Sequence, residues 1–340
     1  MKAVVFHEFG GVEKLKYEDF PDPKPGAGEV LVRVKACALN HIDIWQRQGL
    51  PGVNLPHISG SDIAGIVENF GAGVNGIKKG DEVIISPGIS CMKCEKCLNG
   101  DDNICSQYNI TGYRNNGGYA EYVAVPETNV VAKPKKLSFE DAASIPLVFI
   151  TAWHMLVSRG GIKPGDKVLV HAGGSGVGIA AIQIAKLFGA FVITTAGSDE
   201  KIEKAKSLGA DEVINYKKQD FEQEVKRITK KQGVDIIVEH IGPEVWEKSI
   251  KILAKNGRLV TCGATSGPVT NIDLRYLFSK HLSILGSYMG RKNELLEALK
   301  FVESGKLKPV VHKIFALRDA AEAQQEMLDR KNFGKIVLRV

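Results

Sequence analysis

Val168-Leu-Val-His-Ala-Gly-Gly-Ser-Gly-Val-Gly178 runs from an apolar stretch into a glycine cluster, and Ile179-Ala-Ala-Ile-Gln-Ile-Ala185 follows it. We read this as a buried strand, a tight turn and a helix. Gly173 permits the turn. Gly174, Ser175, Gly176 and Val177 bring backbone amides to where a pyrophosphate would lie, and Gly178 lets the helix pack on the strand. The helix N-terminus adds the positive end of a dipole for phosphate. A glycine run alone is weak evidence, and Ser175 stands where a middle glycine is usual. Its setting decides the reading.

From Lys163 onward, strand and helix alternate. Strands are expected at Lys167–Ala172, Phe191–Ala196, Glu212–Asn215, Val234–Glu239 and Gly257–Cys262. Helices are expected at Gly176–Phe188, Asp199–Leu208, Asp220–Thr229 and Glu244–Leu253. Repeated units of this length predict a doubly wound parallel sheet with helices on both faces. Gly263, just past the fifth strand, joins the expected dinucleotide contacts. Before about residue 145 the texture differs: Glu29–Ala36, Ile63–Asn69, Glu82–Ser86 and Tyr119–Val125 read as short strands broken by Gly and Pro. That spacing predicts an antiparallel, barrel-like β domain. A helix is expected from Ser138, where Ser-Phe-Glu-Asp forms a capping box. After a last strand at Leu282–Ser287, the remaining helices and the strand Lys335–Val340 are expected to return to the first domain.

An NAD site places an acid at the end of the second strand to accept from the adenosine ribose. Here that end reads Thr194-Thr-Ala-Gly-Ser-Asp-Glu-Lys201, with a neutral tip and acids only at the following helix start. Ser198 and Lys201 can instead hold a 2′-phosphate, with Tyr216 reaching in from the next strand. NADP(H) is therefore expected over NAD(H), and a solvated role for Lys201 stays open.

Cys91, Cys94, Cys97 and Cys105 follow a C-x2-C-x2-C-x7-C pattern. Four thiolates can close a tetrahedral shell around zinc, leaving no position for water or substrate, so such a metal would be structural. An iron–sulfur cluster is the rival, although its cysteine run continues differently. Disulfides suit neither the chain's size nor its N-terminus, which meets polar residues too soon for a signal peptide.

The 340 residues carry a net charge of +6 and 25% charged residues. Lysines interleave with acids as on solvated helix faces, so nucleic-acid binding is not expected. No run of ~18 uninterrupted apolar residues calls for a membrane span, and a cytoplasmic location is expected.

Taken together, these features resemble the medium-chain dehydrogenase/reductase superfamily over the whole chain, with Gly60-Ser-Asp-Ile-Ala-Gly-Ile-Val, Gly80-Asp-Glu-Val and Gly118-Tyr-Ala-Glu-Tyr-Val as its hallmarks. The resemblance implies an α/β fold: a GroES-like β-barrel-type N-terminal domain plus a Rossmann doubly wound sheet. Residues 1–149 and 291–340 would form the catalytic domain with the zinc lobe 91–105, and 150–290 the NAD(P) domain. Zinc alcohol dehydrogenases of this superfamily carry the four-cysteine lobe, and hold a catalytic zinc with Cys, His and Cys.

Those three ligands are absent here. Asn40 aligns with the first thiolate, Ile42 with the proton-relay hydroxyl, Ser61 with the imidazole, and Pro146–Trp153 contains no cysteine. Only Asp62 remains as a plausible ligand. Asn40-x-x-Asp43, Gly-Ser-Asp-Ile-Ala-Gly and Ile150-Thr-Ala-Trp153 resemble the zinc-independent quinone oxidoreductases, which usually lack the cysteine lobe. Without a Lewis acid, the expected chemistry is hydride delivery to an activated acceptor, a quinone or an α,β-unsaturated carbonyl, whose delocalised charge neutral donors can hold. Asn40, Trp45 and Ser61 are the candidate donors, and His41 aligns with a cofactor pyrophosphate contact. Two rivals are an alcohol dehydrogenase recruiting a second zinc through Asp62, and a nucleotide-binding protein without turnover. The apolar segment Val269–Gly286 at the expected sheet edge points to a homodimer or dimer of dimers.

Overall fold

A computed structural model describes residues 1–340, which form two compact units. One comprises Met1–Leu147, Arg291–Glu303 and Lys308–Val340; the other comprises Val148–Gly290 and Ser304–Leu307.

In the first unit, Glu29–Ala38 alternates buried and half-buried side chains, the period of a strand with one face on a core. It pairs antiparallel with Asp62–Phe70, Tyr122–Pro126 and Lys335–Arg339. The sheet continues through Glu82–Ile85 to Val130–Ala132 at one edge, and ends on Val311–Ala316 at the other. Val30, Val32, Ile63, Val67, Val125, Ile336 and Leu338 form its core, each worth ~1.5–3 kcal/mol when fully buried. Register sets Val337 opposite Ala38 and Leu338 opposite Cys37. The start of the C-terminal strand is thereby brought beside residues 39 and 40. The expected strand at Tyr119 instead begins at Tyr122, because Tyr119 and Ala120 pair with the N-terminal strand Lys2–Val5.

Right after the central strand, His41–Gln48 is a helix that none of the sequence patterns above announces. Asp43 at the third helical position accepts the Asn40 backbone N–H at 2.8 Å, satisfying a donor the helix cannot. Gly49, left-handed at φ 106°, ends it.

The second unit holds six parallel strands in the order Glu212–Asn215, Phe191–Ala196, Lys167–Val170, Val234–Glu239, Leu253–Thr261, Ser283–Gly286. Lys167–Val170, first in sequence, sits centrally, and the winding reverses between it and Val234–Glu239. Dinucleotides bind at such a switch point. The helical run Phe139–Arg159 is long and apolar enough to cross a membrane, but 78% of its most apolar window is buried, as in a core helix.

Candidate active site

In the first unit, Lys335 sends its ammonium to Leu39 O and Asn40 Oδ1, each at 2.6 Å, and to Asp62 Oδ2 at 2.8 Å. The two charged side chains are 5% and 0% exposed, and lysine reaches such depth only when paired. Asn40 Nδ2 donates to the same Asp62 oxygen at 2.9 Å, and Asp62 Oδ1 accepts the Leu147 N–H at 2.7 Å. Asp62, the one plausible zinc ligand in the sequence, thus already holds an ammonium and two N–H donors. The side chains that meet Asp62 are an ammonium and an amide, no imidazole joins them, and burial pushes the Cys37 thiol beside the Asp62 backbone well up, a set that does not fit a catalytic zinc.

Ser61 is fully buried, and its hydroxyl has no partner. Trp45 is half-buried with its ring edge-on to His41 at 5.0 Å. Burial and nearby Arg330 hold His41 below the usual imidazole range. Beneath the helix His41–Gln48 lies a second polar chain that sequence reasoning missed. Tyr119 donates to Asp43 Oδ2 at 2.9 Å, and Arg47 Nε donates to Gln324 Oε1 at 2.8 Å. Lys335 was missed as well: a lysine opening a C-terminal strand reads as a surface residue, and only the register with Ala38 reveals otherwise.

In the second unit, Gly173 and Gly174 form the turn, and Ser175 caps the helix Gly176–Leu187 by accepting the Gly178 N–H at 3.0 Å. A Cβ on Gly178 would stand 2.3 Å from Ala172 O, so this glycine does let the helix meet the strand. Gly173 works differently from expectation. Its backbone is not left-handed; a Cβ there would stand 2.2 Å from Thr194 Oγ1, and Ala172 takes the positive φ of 49°. Val177 lies half-buried in the first helical turn. His240 Nε2 approaches Ser175 Oγ at 3.2 Å. Glu239 accepts the Ile241 and Gly242 N–H groups at 2.5 and 2.6 Å and the Thr261 hydroxyl at 2.8 Å. Gly263 follows that strand and receives the Thr261 hydroxyl at 3.3 Å.

At the end of the second parallel strand, Ser198 caps the helix Asp199–Ser207. Asp199 is drawn sideways, accepting from Lys218 Nζ at 2.7 Å and Asn215 Nδ2 at 3.0 Å. Tyr216 covers Gly197 so closely that a Cβ there would stand 2.5 Å from its hydroxyl. Lys201 is half-buried, and its ammonium is pushed down by burial, with Lys217 and Lys204 adding repulsion and Glu200 opposing. Ser198, Lys201 and Tyr216 therefore border one basic corner.

Cys91, Cys94, Cys97 and Cys105 bring their sulfurs within 4.8 Å of one another. Cys94–Cys97 and Cys91–Cys105 are 3.5 Å apart, and Cys94–Cys105 are 3.8 Å apart. Zn–S bonds of ~2.3 Å place tetrahedral sulfurs ~3.8 Å apart. The Cys94 and Gln107 N–H groups, each at 3.4 Å, point at the sulfurs of Cys91 and Cys105. The short helix Glu95–Leu98 and left-handed Gly100 fold the lobe around them.

A glycine turn at the switch point of a parallel sheet, with a separate buried polar cluster on a β-rich unit, is the arrangement of a nicotinamide-dependent oxidoreductase. The family description "Alcohol dehydrogenase GroES-like domain" matches residues 26–135, and "Zinc-binding dehydrogenase" matches 176–304. The chain belongs to the medium-chain dehydrogenase/reductase superfamily, with its GroES-like and Rossmann domains. A crystal structure of an NAD-dependent alcohol dehydrogenase superposes with a TM-score of 0.97 and 52% identity, covering 100% of both chains. The NAD-dependent alcohol dehydrogenase of Sulfolobus acidocaldarius is 36% identical over 100% of each chain. The acryloyl-coenzyme A reductase of Sulfurisphaera tokodaii is 34% identical over 100% of each.

Proposed function

We propose that this oxidoreductase reduces quinones or α,β-unsaturated carbonyls with NADPH, using no catalytic metal. One observation carries the reading: Asp62 is committed to Lys335, Asn40 and the Leu147 N–H, at 2.8, 2.9 and 2.7 Å. A primary alcohol needs a Lewis acid to stabilise its alkoxide, worth several kcal/mol. An enone or quinone spreads the developing charge, so a few neutral N–H and O–H donors suffice. Asn40, Trp45 and Ser61 supply such donors on the GroES-like unit, the Ser61 hydroxyl being unpartnered among protein groups.

Bound, the dinucleotide supplies the hydride. The chain's residues hold it: Gly173, Gly174, Ser175, Gly176, Val177 and Gly178 at the pyrophosphate, with His41 and Gly263 as further contacts. Ser198, Lys201 and Tyr216 would take the 2′-phosphate, a preference supported by the diversion of Asp199 to Lys218. The four cysteines would hold one structural zinc. In the same reading, residues 1–149 and 291–340 act on substrate, residues 150–290 bind cofactor, and the protein works in the cytoplasm as a homodimer or dimer of dimers.

A second reading, NAD-linked alcohol oxidation, is favoured by the names of two relatives. The test is turnover of a quinone, an enone and a primary alcohol, each with both cofactor pairs. Reduction of the first two with NADPH is expected. Alcohol oxidation abolished by a chelator and restored by zinc would overturn the proposal.

A further inference from the structure

We propose that Lys335 is a positioning residue that sets and polarises the Asn40 amide as a donor to the substrate carbonyl oxygen; this rests on the reading above that Asn40 meets the substrate. All three ammonium hydrogens are spent, on Leu39 O, Asn40 Oδ1 and Asp62 Oδ2 at 2.6, 2.6 and 2.8 Å. Lys335 therefore has none left for a ligand, and any effect on chemistry must pass through what it holds.

It holds Asn40 from one side while Asp62 holds it from the other. With Oδ1 on the ammonium and Nδ2 on the carboxylate, both contacts are attractive. A flipped amide would set N–H against ammonium and C=O against carboxylate, so the charges alone select the orientation. One Nδ2 hydrogen goes to Asp62 at 2.9 Å; the remaining contact, to Ala38 O, is 3.5 Å, too long to use the other hydrogen fully. Withdrawal of electron density from Oδ1 by the ammonium makes that second N–H a stronger donor. Asn40 keeps 6% of its surface exposed, whereas Asp62 keeps none. Lys335 is 5% exposed but has spent its hydrogens, so Asn40 is the member of this triad with an N–H to offer a ligand. The cluster thus carries a held ammonium whose charge reaches a neutral donor through one hydrogen bond.

The obvious variant, Lys335→Met, leaves a buried carboxylate unpaired and could fail to fold. The test therefore uses Lys335→Met/Asp62→Asn, which removes both charges together. We expect its melting temperature to lie near that of the wild type, while kcat for enone reduction falls ~10–100-fold, short of the loss of a direct oxyanion donor. KM for NADPH should not change. In an Asn40→Ala background the same pair of changes should cost no further kcat, because the route through Asn40 is already gone. Recovery of kcat along with melting temperature would make the triad purely structural and overturn the proposal. Losses that multiply with Asn40→Ala would also overturn it, since Lys335 would then act independently. A wild-type chain inactive toward every enone and quinone would sink the functional reading instead. The Asn40 side-chain 15N–1H resonances would still decide the positioning claim: a shift in the double variant is expected, and unchanged resonances would refute it.

Discussion

The Tyr119 hydroxyl donates to Asp43 Oδ2 at 2.9 Å, and the same oxygen accepts the Asn40 backbone N–H at 2.8 Å, while Asp43 Oδ1 has no partner. Burial outweighs these bonds and raises the Asp43 carboxyl from 3.8 to about 6. The folded protein therefore keeps a proton through a pH range where the unfolded chain has released it. Stability from this group is full below pH ~4 and is lost as pH rises toward ~6, by ~3 kcal/mol. Asp43→Asn removes the titration but keeps an acceptor. Denaturant unfolding at pH 4 and pH 7 should show the variant gaining ~3 kcal/mol on the wild type between the two. Parallel stability profiles would show that Asp43 stays ionised throughout.

One zinc per chain is expected at Cys91, Cys94, Cys97 and Cys105, whose sulfurs already lie within 4.8 Å of one another. Cys97→Ser should lose the metal and lower the melting temperature by roughly 5–15 °C, because binding energy at a closed site is folding energy. Elemental analysis and thermal scans decide it. Iron in place of zinc, or a variant that keeps its metal and stability, would contradict the assignment.

Lys201→Ala should weaken NADPH by about ten- to a hundredfold and leave NADH nearly unchanged, the effect of losing one charge-assisted contact to phosphate. Asp199→Asn provides the complement. Its carboxylate is already occupied by Lys218 at 2.7 Å, so the change should leave NADH affinity within about threefold. Titrations following nicotinamide fluorescence measure both. A large NADH loss in Asp199→Asn would mean that this acid grips the ribose.

What could be read from sequence follows the range of the interactions. The strand, glycine turn and helix from Lys167 to Leu187 are fixed by near neighbours, and so is the cysteine lobe, closed within fifteen residues. Asn40 and Asp62 were also legible as departures from a metal site. Their shared partner was not, because Lys335 reaches them across 295 and 273 positions of chain. The helix at His41 was missed although Asn40-x-x-Asp43 can cap one; the Asn40 backbone N–H bonds Asp43, while the Asn40 side chain bonds the buried charges. Gly173 shows a similar limit, since its constraint comes from Thr194 on the neighbouring strand and not from the turn itself.

Assembly gives the last prediction. Ser283–Gly286 closes one edge of the six-stranded sheet, with Ile284 at its centre and mostly exposed neighbours. Val269, Leu274 and Phe278 nearby are 77%, 61% and 69% exposed. Ile272, Tyr276 and Leu277 of the same segment instead pack against the unit's own core. The segment is thus two-faced: one side anchored, the other apolar toward solvent beside an edge strand with no strand on its outer side, where Arg159 Nε takes the Gly286 carbonyl at 2.9 Å. Such an edge invites a second copy, and a two-fold axis would let each strand pair with its mate. Ile284→Glu places two like charges near that axis without touching the anchored side. Light scattering at micromolar concentration should report a dimer or larger even-numbered assembly for the wild type and a halved mass for the variant. A monomeric wild type would rule out this interface.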